Sequence, residues 1–148
     1  MPKRVAFVGA YEVAVLDYDE PVLAPDQVRV QTELASGKHG TTTAMFDGGA
    51  FEGQRFRQDM RLFLPSAEEP GRPTAEAPWN AGTTGIGTIV EVGSDVTRWR
   101  VGDRVVGLMV NDETNVCDTT RVWTLGEIPP ELALCVEPAY VAFHCIRE

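Results

Sequence analysis

Residues 85–107 read GIGTIVEVGSDVTRWRVGDRVVG, and this stretch says more about the fold than any other part of the chain. Two runs rich in β-branched residues, 86–92 and 105–110, flank a connection that contains Gly93-Ser94-Asp95 and Gly102-Asp103. β-Branched residues favour strands, whereas glycine, serine and aspartate favour turns. The pattern therefore predicts a strand, a turn and a second strand.

The N-terminal part of the chain also has the pattern of strands. Residues 5–8 and 12–18 alternate well enough on either side of Gly9-Ala10-Tyr11 to predict a hairpin. Residues 27–34 show a clear period of two, in which Val28 and Val30 share one face. Further along, we expect a strand over 119–124, a short helix over 131–134 and a last helix that opens with Pro138 at its first position.

Segment 47–79 has a different composition. It contains four prolines and a basic, aromatic stretch over 54–61, which predicts a long loop with one helical turn near 59–63. Loops of this length in compact domains are usually functional or disordered. The arginines Arg55, Arg57 and Arg61 could bind an anionic substrate or phosphate, or they could be solvated ion-pair partners.

The bulk composition limits the classes of function. A chain of 148 residues is long enough for one domain with a hydrophobic core. The net charge of −9 argues against binding to nucleic acids or to anionic membrane surfaces. No apolar run approaches the ~20 residues of a membrane span, and the N-terminus does not resemble a signal peptide. The three cysteines form no paired framework, so we expect a cytoplasmic protein; Cys135 and Cys145 are interpreted as small core residues.

The glycine-rich strand, the turn that begins Val92-Gly93 and the entry Gly102-Asp103 resemble the zinc-type alcohol dehydrogenases of the medium-chain dehydrogenase/reductase family. The resemblance covers nearly the whole chain, and its most specific part is 87–106. It implies a mainly β fold with short helices, a partly open GroES-like β-barrel of the kind found in the N-terminal domain of these enzymes. It also implies oxidation of a small-molecule alcohol to a carbonyl with NAD or NADP.

The resemblance has a consequence for domain organisation. Residues 82–87 precede a strand, so they do not form the Gly-x-Gly-x-x-Gly turn between a strand and a helix that binds a dinucleotide. We therefore expect residues 1–148 to be the GroES-like substrate domain of a longer chain, with 47–79 as a loop insertion. A nucleotide-binding Rossmann domain would follow, and the full-length protein could form homo-oligomers.

The family's zinc site is degenerate in this sequence. Aligning 36–41 with the family's first ligand turn places His39 at a cysteine ligand and Thr41 at the hydroxyl that relays the substrate's proton. Aligning 82–87 with the second turn places Thr83 and Thr84 where a histidine and a glutamate belong. Glu137 matches the third position, as in polyol dehydrogenases. His39 and Glu137 fall short of the three protein ligands usual for catalytic zinc, and threonine hydroxyls bind zinc poorly.

Each candidate also has a structural interpretation. His39 could be a loop histidine bonded to the backbone, Thr41 could cap a helix, and Glu137 could favour the positive end of the last helix. If zinc is absent, His39 would act as hydrogen-bond donor or general acid to the developing oxyanion, with Thr41 in the relay.

Three functions therefore remain open from the sequence. The first is an NAD(P)-dependent alcohol or polyol dehydrogenase, of which this chain is the substrate-binding half. The second is a zinc-independent reductase of quinones or enoyl groups, which needs only the nicotinamide and hydrogen-bond donors. The third is a non-catalytic GroES-like module that binds a ligand or partner through the 47–79 loop.

Overall fold

The fold was analysed in a computed structural model, which describes residues 1–49, 53–57, 59–60, 62–65 and 72–147. The described chain is mainly β with three short α-helices, as the sequence predicts. The elements in chain order are β1 (Lys3–Gly9), β2 (Glu12–Asp17), β3 (Gln27–Ser36), α1 (His39–Phe46), β4 (Gln54–Arg57), β5 (Leu62–Pro65), β6 (Trp79–Asn80), β7 (Thr84–Val92), β8 (Arg104–Gly107), β9 (Thr114–Asp118), β10 (Val122–Thr124), α2 (Pro130–Ala133) and α3 (Val136–Arg147).

A five-stranded antiparallel sheet, in the order β10-β8-β7-β3-β9, forms the centre of the molecule. The two runs in the 85–107 stretch become β7 and β8, which pair with Gly85 opposite Gly107. The larger core cluster consists of Val28, Val30, Ile89, Trp99, Val105, Met109, Cys117 and Val122. Complete burial of such aliphatic side chains contributes about 1.5–3 kcal/mol each, so this sheet is the main source of the fold's stability.

A second core cluster connects this sheet to the helices. Ile86, Val106, Leu125 and Ala133 are buried together, and Leu134 and Val136 pack against them. Val136 is the first residue of α3, so its packing fixes where that helix begins relative to β7 and β8. The next residue along the helix, Glu137, is thereby held at the edge of the sheet.

The predicted N-terminal hairpin is confirmed. β1 and β2 pair across a turn in which Tyr11 adopts a φ of 62°, and β6 joins the other edge of β1. Arg4 Nη2 lies 2.6 Å from Asp112 Oδ2, which links this three-stranded sheet to the connection between β8 and β9. Burial raises the pKa of Asp112 despite the nearby guanidinium.

Several predicted boundaries are wrong. The second strand of the 85–107 stretch ends at Gly107 rather than at residue 110. Residues 119–124 divide into a 3₁₀ turn, Thr119–Arg121, and the short β10, while β9 was not predicted. The last helix begins at Val136, so Pro138 is its third residue; proline is still tolerated there because no helical acceptor precedes its nitrogen in the first turn.

Segment 47–79 contains a hairpin. β4 and β5 pair in an antiparallel register that sets Arg57 opposite Leu62, with a turn at Asp59 and Met60. The helical turn predicted near 59–63 is wrong, because Leu62 already belongs to β5. No helix in the described residues is long and apolar enough to cross a membrane.

Candidate functional site

Three elements meet where β3 ends, β7 begins and α3 begins, and each contributes one polar side chain. Lys38 follows β3, Thr83 precedes β7, and Glu137 is the second residue of α3. Lys38 Nζ lies 3.2 Å from Glu137 Oε1, and Thr83 Oγ1 donates to Glu137 Oε2 over 3.1 Å. We call these three residues the junction.

The junction is a closed ring of hydrogen bonds. The backbone N–H of Lys38 donates to Thr83 Oγ1 over 3.1 Å, while the Thr83 hydroxyl donates to Glu137. Glu137 in turn accepts from the ammonium of the same Lys38. Both carboxylate oxygens are thus engaged, and the Lys38 and Glu137 side chains remain 33% and 20% exposed. The ring fixes a cation and an anion side by side at a partly solvated surface.

The backbone on both sides of the junction is tightly constrained. The Thr83 N–H donates to the Ser36 carbonyl over 2.9 Å, which holds the two chain segments together. Gly82 adopts a φ of +90°, where only glycine is unstrained. A Cβ at Gly82 would also collide with the side chain of Asn111. Glycine is therefore required immediately before Thr83.

Two clefts open beside the junction, and Glu137 lines both of them. The first is a largely apolar cleft of about 590 Å³ with Trp123 and Tyr140 in its walls. The second, of about 460 Å³, is also lined by Thr83 and Asn115. Both are large enough to bind a small molecule. A substrate in either cleft would contact the junction.

The structure separates the predicted site residues into two groups. Thr83 and Glu137 are brought together, as described above. His39 and Thr41 lie on the first turn of α1; His39 is exposed and Thr41 is half-buried. Among the described residues, neither side chain forms a hydrogen bond or ion pair with the junction. The helix begins at His39 with Lys38 as its N-cap, so Thr41 is not a capping residue.

Thr84 plays a different part from Thr83. Its side chain is buried, and Oγ1 has no hydrogen-bond partner in the described part of the chain. Leaving a hydroxyl unsatisfied in an apolar environment costs about 1–3 kcal/mol. Thr84 therefore belongs to the interior of the sheet rather than to the wall of a cleft.

The polar groups at the junction do not suit a catalytic zinc ion. Zinc requires three protein ligands, mostly histidine, cysteine or carboxylate, and the described residues contain no cluster of three such side chains. The Glu137 carboxylate is already neutralised by the Lys38 ammonium, which a zinc ion would have to displace. The ligand pair His39 and Glu137 stays a prediction, and we assign no chemical step to zinc.

Other candidates lie apart from the junction. Arg57 forms an ion pair with Asp59 over 2.9 Å, which agrees with its interpretation as a solvated partner. Arg61 and the Arg55 side chain lie outside the described residues. The interpretation of Cys135 and Cys145 as core residues is wrong because both are exposed. Cys117 is the buried thiol, and burial raises its pKa to about 11.

Lys38 is the residue that sequence reasoning missed. Its partner Glu137 is 99 positions away in sequence, so no local pattern connects the two. The neighbouring His39 is of a residue type that commonly binds zinc, so the site was assigned from the sequence to His39 rather than to Lys38. The available signal was that the same alignment placed Lys38 within the first ligand turn and Glu137 at the third ligand position.

The comparisons with known proteins agree with this architecture. The family model for the alcohol dehydrogenase GroES-like domain matches residues 24–128. The chain is 25% identical to D-guloside 3-dehydrogenase of Escherichia coli K12 over 151 aligned residues, which cover 99% of this chain and 43% of that protein. The chain thus spans less than half the length of this curated relative.

Two solved structures show the same fold. One is 2R,3R-butanediol dehydrogenase from Bacillus subtilis, with a TM-score of 0.71 and 21% identity over 100% of this chain and 47% of that one. The other is a quinone oxidoreductase from Pseudomonas syringae, with a TM-score of 0.60 and 24% identity over 91% and 37% of the two chains. These likenesses confirm the predicted GroES-like fold.

Proposed function

The chain belongs to the alcohol dehydrogenase GroES-like domain family, and we propose from this membership that it is the substrate-binding half of an NAD(P)-dependent oxidoreductase. The reaction would interconvert an alcohol of the polyol or sugar class and the corresponding carbonyl compound. The observation that carries the proposal is the junction, in which an ammonium, a hydroxyl and a carboxylate meet beside two clefts.

The proposed substrate class follows from the chemistry of the junction. An alcohol or carbonyl oxygen accepts hydrogen bonds, and a hydroxyl also donates one. The junction offers both kinds of partner, since the ammonium donates and the carboxylate accepts. The relative D-guloside 3-dehydrogenase is named for a polyhydroxylated substrate, which supports the polyol or sugar class.

The dinucleotide would be held by a further domain. The described residues include no Gly-x-Gly-x-x-Gly turn between a strand and a helix, since the turn from β3 into α1 consists of Gly37 and Lys38. They therefore do not suit NAD or NADP, and we derive no step through the cofactor. Helix α3 leaves Tyr140, Phe143 and Ile146 exposed by 63%, 58% and 85%. An apolar face of this kind supports packing against a second domain.

The catalytic roles of His39 and Thr41 remain part of the proposal. Both lie on the helix that follows Lys38, and the exposure of His39 leaves its imidazole free to meet a substrate. Replacing a positioned acid–base group usually lowers turnover by about 10²–10⁴-fold. His39→Ala should therefore lower the turnover of the full-length enzyme at least ~10²-fold, and wild-type turnover in that variant would remove His39 from the mechanism.

Reduction of a quinone or an enoyl group is the second candidate. The observation that favours it is the Lys38 ammonium at the junction, because a cationic hydrogen-bond donor can stabilise an enolate-like oxygen without a metal ion. The same geometry thus serves either substrate class, and only the reacting molecule distinguishes them.

The test is a substrate survey with the full-length protein as its source produces it. Sugars, polyols and simple alcohols are offered with NAD or NADP, and quinones and enones with the reduced forms, while the absorbance of the reduced nicotinamide is followed. Turnover of hydroxyl substrates alone supports the first candidate, and turnover of enones or quinones alone supports the second. Ligand binding without turnover of any substrate would contradict both and leave a non-catalytic binding module.

A further inference from the structure

The cation at the junction is a lysine ammonium in a place where the chain resembles metal-dependent enzymes. We propose that the Lys38 ammonium binds the oxygen atom of the substrate and stabilises the negative charge that develops there, so that this site works without zinc. The assignment rests on the proposed oxidoreductase function. It concerns Lys38, which the family resemblance does not name as a functional residue.

The Lys38 ammonium is fixed in place before a substrate binds. The hydrogen-bond ring runs from the Lys38 backbone N–H through the Thr83 hydroxyl and the Glu137 carboxylate back to Lys38 Nζ. A long lysine side chain normally loses rotamer freedom when it binds a ligand. Here that freedom is already restricted before a substrate arrives, which is the condition for effective electrostatic stabilisation.

The Lys38 ammonium retains N–H donors for a ligand. Lysine has three N–H donors, and within the described part of the chain only Glu137 accepts from Nζ. One third of the side chain is exposed. The carboxylate beside it lines both clefts. A substrate oxygen that reaches Glu137 therefore also comes within reach of the ammonium.

The charges of Lys38 and Glu137 balance each other at the junction. The Lys38 cation neutralises the Glu137 anion, so the junction needs no metal ion to balance the carboxylate. A divalent cation bound to Glu137 would lie against the ammonium and be repelled by it. Lys38 forms no covalent bond in this proposal and donates only hydrogen bonds. Glu137 and Thr83 act on the developing charge only by positioning Lys38, although the Glu137 carboxylate can also accept a hydrogen bond from a substrate hydroxyl.

The sequence offers a matched control because it contains two lysines, Lys3 and Lys38. Both form ion pairs with a carboxylate, Lys3 with Asp17 on the surface of the N-terminal hairpin. The Lys38→Met variant of the full-length enzyme should lower kcat at least ~10²-fold, the usual effect of removing one donor to an oxyanion. Lys3→Met should leave kcat unchanged, and Lys38→Arg, which keeps the cation, should recover most of the lost turnover.

A variant at Glu137 tests whether this carboxylate acts on the charged substrate oxygen through Lys38 or by direct contact. Glu137→Gln keeps acceptor and donor atoms near Thr83 and Lys38 but removes the negative charge that holds the ammonium. The variant should lose less turnover than Lys38→Met, and its loss should appear in kcat rather than in KM. A loss equal to or larger than that of Lys38→Met would contradict the order of roles and overturn the assignment.

NMR spectroscopy of the wild-type protein tests the contact between Lys38 and the substrate, and it does not depend on whether a variant folds. Biosynthetic labelling with ¹³Cε-lysine leaves all three N–H donors on the ammonium, and the signals that disappear in the Lys38→Arg and Lys3→Arg variants identify these two residues. Addition of a substrate found in the survey should shift the Lys38 signal and leave the Lys3 signal in place. An unshifted Lys38 signal at saturating substrate would overturn the proposal.

The outcomes distinguish this inference from the function on which it rests. A wild-type enzyme that turns over no substrate contradicts the proposed oxidoreductase function itself. Wild-type turnover together with a Lys38→Met variant of equal kcat contradicts the assignment of Lys38 alone. One zinc ion bound per wild-type chain in equilibrium dialysis, retained in Lys38→Met, would also overturn it.

Discussion

The five-stranded sheet is held together by buried apolar side chains, whereas the junction at its edge is held together by partly exposed polar ones. In the sheet, Val30, Ile89 and Val105 are completely buried and contact one another in a single cluster. At the junction, Lys38 and Glu137 are partly exposed, and their partners are polar. The same strand, β3, supplies residues to the sheet and ends at the junction. The comparison shows that stability resides in the sheet, while the polar groups suited to chemistry lie where its strands end.

The largest effect on stability is expected from the sheet. Ile89→Ala removes a completely buried side chain from the larger core cluster, and such truncations cost about 2–5 kcal/mol. The free energy of unfolding, measured by urea denaturation, should fall by this amount. The control is Val22→Ala in the connection between β2 and β3, where the side chain is 93% exposed and the change should stay within about 0.5 kcal/mol. Equal losses in the two variants would contradict the comparison.

A glycine at the boundary between the two regions should give an intermediate effect. Gly82→Ala forces a left-handed φ on alanine and a collision with Asn111, which should destabilise the fold by about 1–3 kcal/mol. Displacement of the adjacent Thr83 should lower turnover as well. Gly40→Ala on α1 has open space around it and should be neutral or stabilising by up to about 1 kcal/mol. Thermal unfolding should give a lower midpoint for Gly82→Ala and an unchanged or higher midpoint for Gly40→Ala.

The junction itself should contribute little to stability. A double-mutant cycle with Lys38→Met and Glu137→Gln should give a coupling energy of at most about 1 kcal/mol, as for other partly exposed ion pairs. Urea denaturation of the wild type, both single variants and the double variant measures it. A coupling of several kcal/mol would show that this ion pair stabilises the fold as the core of the sheet does, which would contradict the difference between the sheet and the junction.

The smallest effect is expected from a surface pair on the sheet. Hydrogen bonds from Arg104 and Thr88 hold the pKa of Glu33 below its usual range. A carboxylate with a lowered folded-state pKa contributes stability above its unfolded pKa, and that contribution is lost as the pH falls through the folded value. Glu33→Gln should therefore reduce the loss of stability between neutral and acidic pH by no more than about 0.5 kcal/mol. Parallel pH series of unfolding midpoints test this.

The sequence predicted the sheet better than the junction for a physical reason. Hydrophobic periodicity reports burial, so the strands around Val28, Val30 and Ile89 were visible in the pattern. β9 was missed because it is short and carries Asn115 in the interior. That amide is satisfied by Thr32 and by the backbone of Val110, contacts that only the folded chain supplies.

The roles of the site residues stay predictions. The family resemblance placed Glu137 at a ligand position and Thr83 at a position where the ligand is lost, and these two side chains form a hydrogen bond. His39 and Thr41 lie on α1 and do not contact them among the described residues. Lys38 could not be found in this way because its role depends on a contact with a helix 99 residues away. Long-range polar contacts leave no periodic signal, so sequence patterns do not show them.

Turnover after exhaustive chelation distinguishes a site that works through the Lys38 ammonium from one that works through zinc. The full-length wild-type enzyme is treated with a strong zinc chelator, freed of it and assayed with the substrate found in the survey, with and without added zinc. We predict unchanged turnover in both samples, because a fixed ammonium supplies the positive charge at the junction. Loss of turnover on chelation, with recovery on adding zinc, would contradict the account.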